Sequence, residues 1–195
     1  MRRKTFDILV ATAGLFLAVM LIVSGVLLTW AHNFIGNEVH TQLAAQQIYF
    51  PPAGSPAIKA PEFAAMHQYA GQQLTTGAQA EVYADHFIAN HLKEIGGGKT
   101  YAQLSAESLA KPNDAKLAGT VATVFKGETL RGLLLNAYAF WQMGQIALVG
   151  AIVSFVGAAL LFALSLLGFL HQRRVPAGQE LHLGHPTHVT TPAPA

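Results

Sequence analysis

An all-α membrane protein is the fold class this sequence predicts, with two transmembrane helices extending into one extracytoplasmic helical domain. Three observations predict it. Only 11% of the 195 residues are charged while 52% are hydrophobic, against about 25% charged in a soluble domain. The deficit is confined to two runs, residues 8–31 and 132–170, neither of which holds an Asp, Glu, Lys or Arg. Between them, seven Lys/Arg and eight Asp/Glu give an ordinary and nearly neutral density.

A helix needs about 20 apolar residues to cross a bilayer. Residues 8–30 and 146–170 both satisfy that length. Arg2, Arg3 and Lys4 precede the first span, and Arg173 and Arg174 follow the second. Positive residues stay on the cytoplasmic side, so residues 1–7 form a cytoplasmic N-terminus and residues 171–195 a disordered cytoplasmic tail. Trp30 and Trp141 stand where amphipathic rings favour the headgroup layer. The first span is longer than the apolar core of a cleaved signal peptide, so a retained anchor is expected. The localisation expected is a bacterial cell membrane, multi-pass.

Residues 31–145 read as a chain of helices. Ile35, Val39, Leu43 and Ile48 continue the first span as an amphipathic helix, stopped by Pro51-Pro52. After a Pro/Gly-rich loop, Pro61 is suited to a first helical turn, and that helix runs to about Leu74. In the helix over residues 78–95, Ile88, Leu92 and Ile95 mark one face. Gly96, Gly97 and Gly98 end it. Thr100 and Gln103 have capping-box spacing for a short helix. Asp114 caps another over residues 115–127, with Leu117, Val121 and Val124 as its stripe. A long helix then starts near Glu128 and enters the bilayer between Trp141 and Gln145. Strand signals are weak throughout.

Five groups of residues are candidate sites. Glu81, Asp85, His86, Asn90 and His91 offer the imidazole and carboxylate set of a metal or general-base site. The two histidines are five apart, however, and do not share the face that an HExxH spacing provides; a solvated helix face is the plainer reading. His182, His185 and His188 lie in the tail. His32 and His40 lie on one face just outside the membrane, where a role in sensing pH is open. Lys126, Glu128 and Arg131 precede the aromatic group Tyr138, Phe140 and Trp141. Glu128 and Arg131 have ion-pair spacing. Asn136, Gln142 and Gln145 face the first-span extension as possible bonding partners. Lys126, Arg131, Tyr138 and Trp141 are the candidates for docking a lipid headgroup or partner subunit, unless they only fix the second helix to its domain. In the spans, Gly14 with Ala18, and Gly150 with Ser154 and Ala158, form small-residue ridges. These suit packing of the spans on each other, a homo-oligomer or a larger membrane complex.

Much is excluded. Without cysteine there is no disulfide or thiolate chemistry. A net charge of +2 carried by the chain ends does not make a nucleic-acid footprint. No Walker loop, GxGxxG, GxSxG or CxxCH occurs, and no cofactor is expected. No ionisable side chain lies inside either span, so a channel or pump formed by this chain alone is not predicted.

The stretches QQIYFPPAGSPAI, GGKTYAQLSAESLA and FKGETLRGLLLNAYAFWQMGQIA, with the two-span layout, resemble a group of membrane proteins of high-GC actinobacteria, a family without known function. The resemblance covers most of residues 8–170. It implies a bacterial cell membrane and carries no activity, cofactor or catalytic residue. The function expected is non-enzymatic, an outer helical domain that binds or scaffolds a partner. The alternatives are a sensory module acting through a partner subunit, and a metal-dependent enzyme built on Glu81, Asp85, His86 and His91.

Overall fold

The computed structural model describes residues 3–174; the tail histidines lie outside them. Five α-helices follow in order: α1 (Arg3–Ala45), α2 (Gly77–Val82), α3 (Ala89–Ile95), α4 (Tyr101–Ala110) and α5 (Ala115–Gln172). Two 3-10 helices (Pro56–Ile58 and Pro61–Tyr69) precede α2, and a π-helical segment (Tyr83–Ile88) joins α2 to α3. No strand occurs among the described residues, only an isolated antiparallel bridge between Tyr49 and Gln73. The chain is all-helical, and α1 and α5 are each long and apolar enough to cross a membrane.

The chain divides into two units. One holds the N-terminal part of α1 up to Leu27 and the C-terminal part of α5 from Gly150. Here the helices run antiparallel, in register, through small residues. A methyl group on Gly14 would lie 2.5 Å from the Ser165 hydroxyl, one on Gly157 3.2 Å from Leu21, and one on Gly168 3.2 Å from Ala11. Ala11 and Ala18 are buried, as are Ala151, Ser154, Ala158 and Ser165. Apolar side chains on the other faces are exposed, Leu17, Val23 and Leu164 among them. Close backbone approach through these small residues, rather than burial of large side chains, holds the pair. Ser154 and Ala158 of the predicted ridge are thus used within the chain, whereas Gly150 is half-buried.

The other unit, Leu28–Val149, has an apolar core that includes Val39, Leu43, Phe50, Met66, Leu74 and Leu134. α1 stops at Ala45, earlier than expected. Gln47 takes a positive φ of 53°, and Ile48 leaves the helix to accept a hydrogen bond from the Leu74 amide at 2.9 Å. The Gln73 side chain donates to the Ala44 carbonyl at 2.8 Å, which also accepts from the Gln47 amide at 3.1 Å. The helix from Pro61 ends at Tyr69 rather than near Leu74 and is of the 3-10 type.

The helix begun at Gly77 has a capping box, with Thr76 and Gln79 bonding each other's backbone. Its buried apolar side chains are Ala80, Ala84, Ile88 and Leu92, spaced by four rather than 3.6. An α-helix would rotate that row steadily off the core. The wider turn of the π segment, with its i→i+5 bonding, keeps the row facing inward. Ile95, expected on the same face, is 47% exposed.

The Thr100–Gln103 capping box forms as predicted, and Asp114 Oδ1 accepts from the Leu117 amide at 2.9 Å. No new helix starts near Glu128, however: α5 runs unbroken for 58 residues. Gly127, which reads as a boundary, is present for a different reason. A methyl group there would sit 2.3 Å from Leu92 Cδ2.

Candidate functional site

Two of the predicted groups come together. Arg131 Nη2 donates to Asp85 Oδ1 at 2.7 Å, and its Nη1 lies 3.5 Å from Glu128 Oε2. The Glu128–Arg131 pair was legible from spacing. The partnership with Asp85, 46 residues away, was not. These contacts push the guanidinium above its usual value, the hydrogen bond to Asp85 contributing most. Asp85 and Arg131 remain 42% and 32% exposed, so solvent screening leaves such a pair at about 0–1 kcal/mol. It orients the π segment on α5 more than it stabilises it.

The two histidines diverge. His86 Nδ1 donates to the Glu62 carbonyl at 3.2 Å. His91 Nδ1 donates to the Phe87 carbonyl at 2.7 Å, and its ring lies tilted, with its centroid 4.3 Å from that of Phe87 and 5.7 Å from that of Phe63. Glu81 is half-buried. No group of three or more His, Asp or Glu able to hold a metal ion occurs among the described residues. The helix turn carries an aromatic ladder instead: Phe50, Tyr83, Phe87 and His91 succeed one another at centroid distances of 5.3, 4.9 and 4.3 Å. Burial raises the Tyr83 pKa.

Trp141 packs on the first residue of α2. A methyl group on Gly77 would lie 2.2 Å from Trp141 Cβ and 2.5 Å from Cγ, and Tyr138 stacks on the indole at 6.2 Å. Trp141 therefore locks α2 onto α5. Trp30, 65% exposed and stacked on Phe34 at 5.6 Å, keeps an anchor's geometry. His32 Nδ1 donates to the Gly144 carbonyl at 2.9 Å, and a methyl group on Gly144 would lie 3.2 Å from Ile35. This bond makes the crossing anticipated for Asn136, Gln142 and Gln145; Asn136 and Gln142 are exposed.

One face of α5 stays largely exposed, although the Phe125 ring lies 5.5 Å from that of Tyr101. Phe125, Leu133, Phe140 and Met143 are 54–61% exposed. Phe140 and Met143 also line an apolar groove of about 340 Å³ against Phe34, Ile35 and Val39 of α1, with Glu38 and Gln42 in its lining. Lys126 is exposed beside this face. Monomeric domains rarely leave aromatic and aliphatic side chains uncovered in a contiguous strip unless something docks there. Sequence reading picked out Lys126 and Phe140 here but not Phe125, Leu133 or Met143, because local spacing does not show which side of a helix its own chain leaves uncovered. No family model, curated protein or solved structure matches the chain.

Proposed function

We propose that this is a two-span protein of a bacterial cell membrane, with both termini cytoplasmic, and that it docks a partner polypeptide on the part of α5 standing outside the bilayer. The uncovered strip Phe125, Leu133, Phe140 and Met143 carries this reading. The positive flanks Arg2, Arg3, Lys4, Arg173 and Arg174 support the orientation. Trp30 supports the level of the outer boundary. Extending the register of His32 and Ile35 with Gly144 sets Trp30 level with about residues 147–149 of α5. Trp141 then lies about 10 Å above the hydrocarbon at 1.5 Å per residue, and Phe125 about 35 Å above it. Lipid tails cannot cover the strip at that height, and a polypeptide can.

Because the chain has no cysteine, single cysteines report cleanly. Leu109, 82% exposed, replaced by cysteine is expected to react with a membrane-impermeant maleimide in intact cells. Labelling only after lysis would refute the orientation. A photo-crosslinking residue at position 140 in native membranes is expected to give one discrete polypeptide adduct that position 109 does not give. Absence of any adduct at 140 would refute docking.

A further inference from the structure

We propose that the cavity between the cytoplasmic ends of α1 and α5 binds the primary ammonium of an aminophospholipid headgroup, with the Asp7 carboxylate as its acceptor. This rests on the two-span reading above and adds a lipid ligand to it. The cavity, of about 260 Å³, lies within the antiparallel pair, and its wall includes Phe6, Asp7, Val10, Leu161, Ser165 and His171. Its inner end closes where Gly14 meets Ser165 and Gly168 meets Ala11. Extending that register sets Asp7 opposite His171 and Gln172. The carboxylate thus stands one residue outside the apolar spans, at the level of the headgroups.

Asp7 Oδ2 is shielded from solvent and accepts no hydrogen bond. Orphaned polar atoms of this kind are rare and call for a cause. Protonation does not supply one, because in either form the oxygen still lacks a partner. Lys4, about one turn away on the same helix, is exposed and makes no bond to it. Calcium or magnesium would need about six oxygen ligands, and no group of three or more His, Asp or Glu able to hold a metal ion occurs among the described residues. An ammonium group brings three N–H donors with its charge, and charge-assisted bonds to a carboxylate are the strong kind.

The rest of the wall decides what carries the ammonium. Phe6, Val10 and Leu164 line the cavity and are 46%, 55% and 64% exposed, so its apolar wall continues onto the outer faces of both helices, where acyl chains lie. The volume is below the range that encloses a drug-sized ligand; a small group enters and a tail stays outside. Lys4, Arg173 and Arg174 are exposed at the same end, and basic residues there collect phosphate headgroups. One carboxylate inside a basic surround matches a headgroup that joins an ammonium to a phosphate through a short link, as phosphatidylethanolamine does. The quaternary ammonium of phosphatidylcholine has no N–H to donate, and phosphatidylglycerol has no cation.

Native mass spectrometry of the full-length protein tests the site, in mild detergent with equal amounts of these three lipids. The expected result is a preference of about tenfold for phosphatidylethanolamine over phosphatidylcholine, the worth of one charge-assisted hydrogen bond. Asp7→Asn keeps the size and shape of the side chain. It is expected to bring phosphatidylethanolamine down to the level of phosphatidylcholine, with an unchanged melting temperature showing that the spans still pair. Equal binding of the two lipids by the unaltered protein overturns the proposal, whatever the stability of the variant. A preference that survives in Asp7→Asn overturns it as well. Displacement of phosphatidylethanolamine by free ethanolamine at matched concentration leaves an ammonium site and removes the lipid. Labelling of Leu109→Cys reads the orientation separately. If that fails while the lipid preference holds, the orientation falls and the headgroup site stands in the opposite leaflet.

Discussion

Gly77→Ala is the smallest perturbation that tests how the helical domain is held on α5. The added methyl group would lie 2.2 Å from Trp141 Cβ, where ordinary contacts begin at 3.4 Å, so the two helices must separate by more than 1 Å. The obstructing atom is a Cβ next to backbone, so rotamer change does not relieve the clash. Overpacking of this kind costs about 1–3 kcal/mol. Against it stands the gain of replacing a helical glycine, about 1 kcal/mol in a helix interior and less at this first helical position. The net loss is about 1–2 kcal/mol, which for a unit of this size lowers Tm by about 4–8 °C. The chain has two tryptophans, so in a Trp30→Phe background Trp141 fluorescence reports unfolding at the site itself. Gly119→Ala is the control. It is helical with nothing within 4 Å of the added methyl group, and it is expected to gain about 0.5–1 kcal/mol. If Gly77→Ala melts at or above the temperature of Gly119→Ala, Trp141 does not pack on Gly77 as described.

The two capping boxes predict unequal losses. Gln79 is buried, and its Oε1 accepts from the Thr75 and Thr76 amides; Gln79→Ala strands those donors and is expected to cost about 2–3 kcal/mol. Gln103→Ala in the exposed box is expected to cost at most about 1 kcal/mol, and denaturant midpoints of the two variants make the comparison. A double-mutant cycle on Asp85 and Arg131 is expected to return a coupling below about 1 kcal/mol that fades in 1 M salt; a coupling above 2 kcal/mol would contradict the exposed geometry. Glu107 is held below its usual value of 4.5, chiefly by the hydrogen bond from Lys99. A depressed carboxyl contributes stability above the unfolded pKa and loses it as pH falls through the folded one. Lys99→Ala is therefore expected to return the Glu107 midpoint upward toward 4.5, read from its carboxyl NMR shift, and an unmoved midpoint would remove Lys99 as the cause.

The features readable in the sequence were those set by neighbours along the chain. Thr100 with Gln103, and Asp114 with Leu117, are contacts across three residues, and the residue types alone announce them. Thr76 with Gln79 is the same device, masked because Gly77 between them read as a breaker. Glycine's role depends on what stands opposite: Gly127 faces Leu92 and Gly77 faces Trp141, contacts over 35 and 64 positions that leave no local trace. The same is true of Asp85 and Arg131, which drew notice as members of two separate groups. The packing of Trp141 on Gly77 was hidden for another reason: within 39 uncharged residues, length and charge say nothing of which positions meet the rest of the chain.

The π segment at Tyr83–Ile88 has a consequence for what mutations the domain tolerates. It amounts to one extra residue wound into a helix, so it sets the rotational phase between the stretch before it, with Ala80 and Ala84, and the stretch after it, with Leu92 opposite Gly127. Substitutions leave that phase alone. Removal of a single residue within the segment is absorbed by a return to regular α-helical winding, which leaves Leu92 opposite Gly127, whereas removal of one from the regular turns on either side turns everything beyond it by about 100°. The segment is therefore the one stretch of this helix with a residue to spare, and the turns flanking it are strict in length.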